Sequence, residues 1–241
     1  MRGCNEITNT TIYALLAALG PRLSYLDLQD CSRLGASCLP PGLKNLKVLS
    51  LGYQRRRGKL EDKDVIVHIT GDQHPVAPEL EWLSLQHRVE AQSLAGVERL
   101  APTLKVLDLR GCTGVPSEEY GRCKSLRILE QLLVGTNLTS DVISEIASSC
   151  LKLRVLDISG SDLSQQCIQR ICDNLKGLEK LNMSRCKALT NDGLQRILAS
   201  LPKITLIDVS HCWKLSDSLA NHMPAIASKR RHGVYELIHV A

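Results

Sequence analysis

The chain has few aromatic residues and no phenylalanine: Phe, Trp and Tyr together make up 3% of its 241 residues. A core therefore cannot be built around large rings and has to come from aliphatic side chains, in a sequence that is 44% hydrophobic. No apolar run approaches the ~20 residues that a membrane-spanning helix needs. The apolar stretch at residues 14–20 is too short for a signal peptide, and the residues before it are polar. These absences predict a cytoplasmic or nuclear location.

Sequence patterns of catalytic and metal-binding sites are missing as well. There is no nucleophile elbow, no glycine-rich phosphate loop and no zinc-protease motif. The ten cysteines include no CxxC pair. A formal net charge of +5, spread along the chain, is too small to indicate nucleic-acid binding by itself. The sequence predicts a protein that is not an enzyme, has no cofactor and no metal, and binds neither nucleic acid nor membrane.

The most prominent feature of the chain is a repeat of the form LxxLxLxxC. Clear copies span residues 23–31, 104–112, 178–186 and 204–212, and weaker ones begin at Leu46, Leu80, Leu129 and Leu153. The first leucines are 23 to 26 residues apart, with a single interval of 34. In each copy, the leucines of the LxL core alternate with variable residues, as in a strand with one buried face.

Each strand pattern is followed by the spacing of an amphipathic helix. Leu194, Ile197, Leu198 and Leu201 lie at i, i+3, i+4 and i+7, and the same offsets begin at Ile12, Ile143 and Ile168. Polar capping residues precede each of these segments. A fixed period with one short strand and one helix per unit is typical of a leucine-rich-repeat solenoid, which is an α/β fold.

The repeats account for one solenoid domain over residues 1–241. We expect a half repeat at 1–22, repeats starting near 23, 46, 80, 104, 129, 153, 178 and 204, and a closing strand near 234–239. The long interval predicts an insertion loop at about 52–78, and the role of the basic run at 55–59 within it stays open. Because no strand precedes Cys4, we expect a longer protein, a short isoform or a missed upstream exon.

The cysteines follow the repeat rather than a disulfide or metal-ligand pattern. Cys4, Cys31, Cys112, Cys186 and Cys212 share the position at the end of the strand. Cys150 and Cys172 occupy helix core positions that hold leucine or alanine elsewhere. A buried thiol behaves as a small apolar residue with a weak donor, so we expect these seven to be structural.

The strand with its terminal cysteine, followed by a segment such as CKALTNDGLQRIL (186–198) or CNEITNTTIYALL (4–16), resembles the cysteine-containing class of leucine-rich repeats. That class is typical of F-box/leucine-rich-repeat proteins and of the related antagonist-of-mitotic-exit-network family. The resemblance implies a right-handed horseshoe with parallel strands on its concave face and helices on its convex face. It also implies substrate recognition for an SCF-type cullin E3 ubiquitin ligase in ubiquitin-dependent protein degradation.

The sequence contains no F-box, so adaptor and cullin are expected partners only if an F-box lies upstream. The alternative is a stand-alone adaptor, scaffold or inhibitor built from leucine-rich repeats, with no ligase role. The sequence names neither the partner nor the process. In both cases, we expect a protein partner on the concave face.

The candidate binding residues are those that alternate with the buried leucines. Aspartates that recur at one repeat position, such as Asp157, are expected to serve the scaffold. Residues that do not recur are more informative, because aromatic anchors and basic side chains suit a protein partner or an acidic peptide. The predicted partner-binding set is Tyr25, Gln29, Trp82, Gln86, Arg110, Gln131, Lys180, Asn182 and Arg185.

Overall fold

The computed structural model describes residues 1–53, 65–71, 76–87, 92–135 and 138–215, and the backbone of two further strands near the C-terminus. The basic run at 55–59 lies outside these residues. The chain forms two compact units, Met1–Leu129 and Glu130–Ala241. The prediction of a single solenoid domain over residues 1–241 stays a prediction.

The first unit contains four parallel strands in register. They are β1 (Tyr25–Asp27), β2 (Val48–Ser50), β3 (Trp82–Ser84) and β4 (Val106–Asp108). Two α-helices are described in this unit, α1 (Asn9–Leu19) and α2 (Val65–Thr70). The other helical segments described are 3₁₀ helices, at Gly20–Arg22, Ala36–Cys38, Val97–Leu100 and Ser117–Ser125.

The second unit repeats a strand and an α-helix more regularly. Its parallel strands are β5 (Gln131–Leu133), β6 (Val155–Asp157), β7 (Lys180–Asn182) and β8 (Leu206–Asp208). Between them lie α3 (Ser140–Ser149), α4 (Gln165–Asn174) and α5 (Asn191–Ser200). Two more strands follow, β9 (Ala227–Ser228) and β10 (Val234–Ile238), and β10 pairs antiparallel with β8 and β9. The strand β10 lies where the sequence predicts a closing strand near 234–239.

The core of each unit is a stack of aliphatic side chains, one layer per repeat. The central leucines of the strands, for example Leu49, Leu83 and Leu107 in the first unit and Leu181 in the second, are buried. Each pairs in register with its counterpart in the neighbouring strand. The parallel strands with alternating helical segments confirm the predicted α/β leucine-rich-repeat solenoid.

The helical halves differ between the units for a local reason. In the second unit, the helices begin at polar residues: Ser164 Oγ accepts a hydrogen bond from the Cys167 amide at 3.1 Å, and Thr190 Oγ1 from that of Gly193 at 3.3 Å. In the first unit, Pro40, Pro41 and Gly42 interrupt the corresponding segment, and proline cannot continue an α-helix. Short 3₁₀ turns replace longer helices there.

Part of the segment predicted as an insertion loop at about 52–78 is helical. The helix α2 buries Val65, Ile66 and Ile69 against the first unit. Its six residues are too few for the i, i+3, i+4, i+7 pattern to show in the sequence, and its β-branched composition favours a strand. Burial of the apolar residues therefore decides the structure of this segment.

Candidate functional site

The side chains that alternate with the buried leucines of β1–β4 form the first open face. Because residues i and i+2 of a strand point to the same side, the register places them in two parallel rows. One row is apolar and aromatic: Tyr25, Val48, Trp82 and Val106. The other row is polar: Asp27, Ser50, Ser84 and Asp108.

The aromatic row carries the exposed apolar surface of the first unit's strands. Tyr25 is 59% exposed and Trp82 is 39% exposed, although both lie in strands. Val48 lies between them in register and is half-buried, and Val106 on the other side of Trp82 is buried. The structure thus places Tyr25 and Trp82 in one row, two strands apart.

The recurring aspartates hold the backbone at the ends of β1, β4, β6 and β8, and Asn182 does so at the end of β7. The Oδ1 atom of Asp27 accepts a hydrogen bond from the backbone amide of Gln29 at 2.9 Å, and that of Asp108 from the amide of Arg110 at 3.1 Å. The second unit repeats this contact, from Ser159 to Asp157 at 3.0 Å, from Ser184 to Asn182 at 2.9 Å and from Ser210 to Asp208 at 2.9 Å. This local turn explains why Asp or Asn recurs at this position.

Two predicted site residues of the first unit are engaged within the chain. Arg110 donates through Nε and a terminal nitrogen to both carboxylate oxygens of Asp108, at 3.0 and 2.7 Å. Because the Asp108 side chain is only 6% exposed, this arginine neutralises a carboxylate that burial would otherwise destabilise. Gln29 accepts a short hydrogen bond from Arg2, which also pairs with Asp27 at 3.2 Å. The third polar residue of the set, Gln86, is half-buried at the end of β3.

The second open face lies on β5–β8 and carries Gln131, Lys180 and Asn182, whereas the remaining predicted residue, Arg185, lies in the turn that follows β7. Lys180 and Arg185 are exposed, and no ion pair of the described residues involves either. Gln131 is half-buried, and Asn182 is occupied by its bond from Ser184. Of the three basic residues predicted to meet an acidic peptide, Lys180 and Arg185 therefore have their charge available, whereas Arg110 is paired with Asp108.

The strand-end cysteines bond one repeat back along the chain. The Sγ of Cys112 donates to the carbonyl of Leu85 at 3.0 Å, that of Cys186 to Ile158 at 3.5 Å and that of Cys212 to Met183 at 3.1 Å. Burial raises the pKa of the Cys186 thiol to about 12. Such thiols stay protonated at neutral pH, and they satisfy backbone carbonyls rather than acting as nucleophiles.

No cluster of ligands suits a metal among the residues that the structure describes: none brings together three or more His, Cys, Asp or Glu side chains. All ten cysteines are free thiols, and nine of them are buried. Within the same residues, no helix is long and apolar enough to cross a membrane.

Sequence reasoning missed one exposed residue, Trp213. Its side chain is 83% exposed, more than either aromatic side chain of the first open face. It directly follows Cys212, in a turn rather than in a strand, and so lies outside the alternating positions that define the open faces. The signal was present: the same position holds Asn5, Ser32, Thr113 and Lys187 after the other strand-end cysteines.

Comparisons with known proteins agree with this fold. A model of the family described as Leucine Rich repeat matches residues 177–198. The chain is 37% identical over 84 residues to F-box/LRR-repeat protein 17 of Arabidopsis thaliana, covering 34% of this chain and 14% of that protein. It is 23% identical over 162 residues to Antagonist of mitotic exit network protein 1 of Candida glabrata, covering 59% of this chain and 32% of that one.

Another relative aligns over more of the chain. Monocyte differentiation antigen CD14 of Rattus norvegicus is 27% identical over 219 residues, which cover 86% of this chain and 48% of that protein. The chain thus spans less than half the length of each of these three relatives. Among solved structures, an internalin from Listeria monocytogenes shares the fold over 84% of this chain and 52% of its own, with a TM-score of 0.54 and 17% identity.

Together, fold and comparisons define a leucine-rich-repeat protein, a class generally built for binding. Within that class, its repeats are similar to those of F-box/leucine-rich-repeat proteins and of the antagonist-of-mitotic-exit-network family, as the cysteine-terminated strands indicate.

Proposed function

We propose that this chain binds a protein substrate through its first open face and is the recognition part of an SCF-type cullin ubiquitin ligase that acts in ubiquitin-dependent degradation. The observation that carries the proposal is the aromatic row, in which Tyr25 and Trp82 are exposed in adjacent parts of one strand surface. Exposed Tyr and Trp side chains are the anchors that protein interfaces use most. The similarity to F-box/leucine-rich-repeat proteins supports the ligase role.

The surroundings of the aromatic row suit an interface. Glu81 lies just before β3 and accepts from Lys47 at 3.0 Å and from Lys105 at 2.7 Å, the residues just before β2 and β4. The hydrogen bonds from these two lysines lower the pKa of the Glu81 carboxyl. The row is therefore bordered by paired charges, and an apolar centre with a polar rim is the usual anatomy of a protein interface.

In this proposal, adaptor and cullin are reached through an F-box, either upstream in a longer product or in a partner protein. A second candidate function is a stand-alone adaptor or inhibitor. The similarity to CD14 over most of this chain favours it, since that relative is not named as an F-box protein. The cytoplasmic or nuclear location stays a prediction.

The test is to express this chain, and any longer product of the same gene, in cells and to quantify the proteins that co-purify. The double variant Tyr25→Ala/Trp82→Ala removes both anchors. Loss of one anchor worth about 2 kcal/mol weakens affinity ~30-fold, and loss of both should weaken it roughly 700-fold, so partner recovery should fall sharply. Tyr13→Ala is the matched control, because Tyr13 is a 43% exposed aromatic residue on α1 of the same unit.

Adaptor and cullin recovered with the longer product, together with a partner that the double variant loses and the control keeps, support the ligase proposal. Full retention of the partner by the double variant overturns the assignment to the aromatic row. Absence of adaptor and cullin from every preparation, with the partner still present, leaves the stand-alone adaptor as the function.

A further inference from the structure

A second exposed surface lies on the turns that follow β7 and β8. We name it the strand-end cluster, and it consists of Arg185, Lys187, His211, Trp213 and Lys214, all of them exposed. It lies in the second unit and outside the strand faces. Trp213 supplies a large apolar side chain that is 83% exposed. A tryptophan in this state exposes apolar area that packing against another molecule would remove from water.

Backbone contacts bring the two turns together. The Arg185 amide donates to the Ser210 carbonyl at 2.8 Å, and the Cys212 thiol donates to the Met183 carbonyl at 3.1 Å. Since β7 and β8 pair with Lys180 opposite Leu206, Arg185 lies at the repeat position of His211. Lys187 and Trp213 likewise share a position in neighbouring repeats. The basic and aromatic side chains therefore project from adjacent, hydrogen-bonded turns.

The cationic groups of the cluster keep their charge available. Among the described residues, no ion pair involves Arg185, Lys187 or Lys214. The nearest recurring carboxylate, Asp208, already accepts from the amide and the hydroxyl of Ser210, at 2.9 and 2.7 Å. Neither turn contains an acidic residue. Three positive charges and an exposed indole thus lie together on two adjacent turns.

We propose that the strand-end cluster binds an acidic segment of a partner protein, whose carboxylates pair with Arg185, Lys187 and Lys214 and whose apolar side chain packs on Trp213. The inference deepens the proposed function and rests on it, since it assigns a chemical class to one part of the partner. Charge pairs at such an exposed site add specificity and association rate, while the indole adds buried area.

Other occupants fit the charges less well. The chain's own residues 216–241 contain Asp217 and Glu236 but also Lys229, Arg230 and Arg231, so their net charge has the wrong sign. A second copy of the chain would bring the same positive cluster and a net charge of +5. A nucleic-acid backbone needs a longer track of positive charge than the three cationic side chains of this cluster, which the exposed carboxylates of Asp162 and Asp192 border.

The test uses the fluorescence of Trp213. The chain has 2 tryptophans, so Trp82→Phe leaves Trp213 as the single indole that reports. The probes are short synthetic peptides of four kinds: rich in Asp and Glu with a central Leu, the same with Ser in place of Leu, neutral with Leu, and Lys-rich with Leu. We expect the acidic peptides with Leu to bind most tightly and to shift the Trp213 emission to shorter wavelength.

Charge reversal provides the matched comparison. Lys187→Glu/Lys214→Glu in the Trp82→Phe background should weaken binding of the acidic peptides by about tenfold or more. Lys152→Glu/Arg170→Glu reverses two exposed charges of the same unit, one just after α3 and one within α4. This variant should leave peptide binding unchanged. Circular dichroism melts of both double variants establish that each is folded.

Equal binding of all four peptide classes, or undiminished binding of acidic peptides by Lys187→Glu/Lys214→Glu, overturns the proposal. A larger emission shift with oligothymidylate or with phosphatidylserine vesicles than with the acidic peptides overturns it in favour of nucleic acid or membrane. None of these outcomes bears on the proposed binding by the aromatic row, because that is tested by co-purification with the Tyr25 and Trp82 variants. Failure of the strand-end cluster is therefore distinguishable from failure of the proposed function.

Discussion

At the scale of single residues, the backbone adopts a left-handed conformation at the ends of most of the described strands, although Tyr53 after β2 does not. Gly111 and Gly160 adopt it at φ 77° and 75°, whereas Asp30, Arg185 and His211 adopt it at φ about 61° with a side chain present. For a residue other than glycine, this conformation costs roughly 1 kcal/mol. Where a glycine occupies the position, the space around it shows whether a side chain is tolerated.

Gly111→Ala tests this requirement. A Cβ atom on Gly111 would collide with the imidazole ring of His87, in addition to the left-handed strain. We expect a loss of about 1–3 kcal/mol in the free energy of unfolding, measured by urea denaturation. Gly177→Ala is the control, since a Cβ there would meet the Leu153 carbonyl oxygen at an ordinary 3.8 Å, and it should change stability by less than ~1 kcal/mol. Equal losses from the two variants would contradict the geometry of the turn.

Neighbouring residues of β7 differ in their role. Leu181 is fully buried, so Leu181→Ala should cost ~2–5 kcal/mol through the cavity that it leaves. Asn182→Ala on the open face loses the bond from the Ser184 amide and should cost about 0.5–1.5 kcal/mol. From the sequence alone, almost no cost is expected for Asn182, because the turn contact is invisible there. Thermal unfolding of the two variants measures the difference, and equal effects would show that the strand register is wrong.

At the scale of elements, buried thiols connect the repeats. Burial raises the pKa of Cys150, Cys167 and Cys186 to about 12. Cys150 and Cys167 belong to the packing of the helices, and Cys186 to the end of β7. Within the fold, these three thiols are therefore stable in the neutral form.

This predicts a stability that falls at alkaline pH. In the unfolded chain these thiols ionise near pH 9, whereas in the folded protein they stay protonated, so stability is fully present below about pH 9 and is lost as pH rises toward 12. Urea midpoints measured between about pH 8 and pH 11 should decrease. Cys150→Ala should show a weaker decrease, because one of the three groups is gone. Midpoints independent of pH across this range would contradict the burial of the thiols.

How far the sequence predicts these elements depends on how each is specified. The strands and the helices α1, α3, α4 and α5 follow from leucine spacing, because their apolar periods are complete. The 3₁₀ segments and α2 do not, since their helical period is interrupted by proline and glycine or is too short to detect. In the site, the recurrence of Asp157 indicates its scaffold role, but no pattern reveals that Arg110 is paired with Asp108. The pairing of Arg110 with Asp108 joins two residues of one repeat and depends on the conformation of their side chains. The position of Trp213 was readable, because small or polar residues occupy it in the other repeats.

At the scale of the whole molecule, each unit is stabilised mainly between neighbouring repeats. Each parallel strand pairs with the strand of the next repeat within its unit, and α4 packs against both α3 and α5. In such a one-dimensional arrangement, the effect of a defect declines with distance along the repeats.

Amide hydrogen exchange of Leu181→Ala tests this property. Exchange should accelerate in β6, β7 and β8, which contain or adjoin the cavity, and stay close to wild type in β1 and β2. Mass spectrometry of peptic peptides from the two units measures both regions in one sample. A uniform acceleration throughout the chain would indicate a single cooperative unit instead of nearest-neighbour coupling.

The thiols of Cys112, Cys186 and Cys212 each donate a hydrogen bond to a backbone carbonyl of the preceding repeat. Because the contact is the same each time, a strand-end cysteine of one repeat can take the place of another. Excision of residues 186–211 would bring Cys212 opposite the carbonyl of Ile158, which accepts from Cys186 in the intact chain. Cutting at cysteines therefore preserves the hydrogen bond from the thiol to the carbonyl of the preceding repeat, so we expect the array to tolerate removal of a whole period there. A junction between a strand and its cysteine would not necessarily keep this hydrogen bond. When repeats of such a protein are deleted or inserted, the junctions should therefore be placed at the strand-end cysteines.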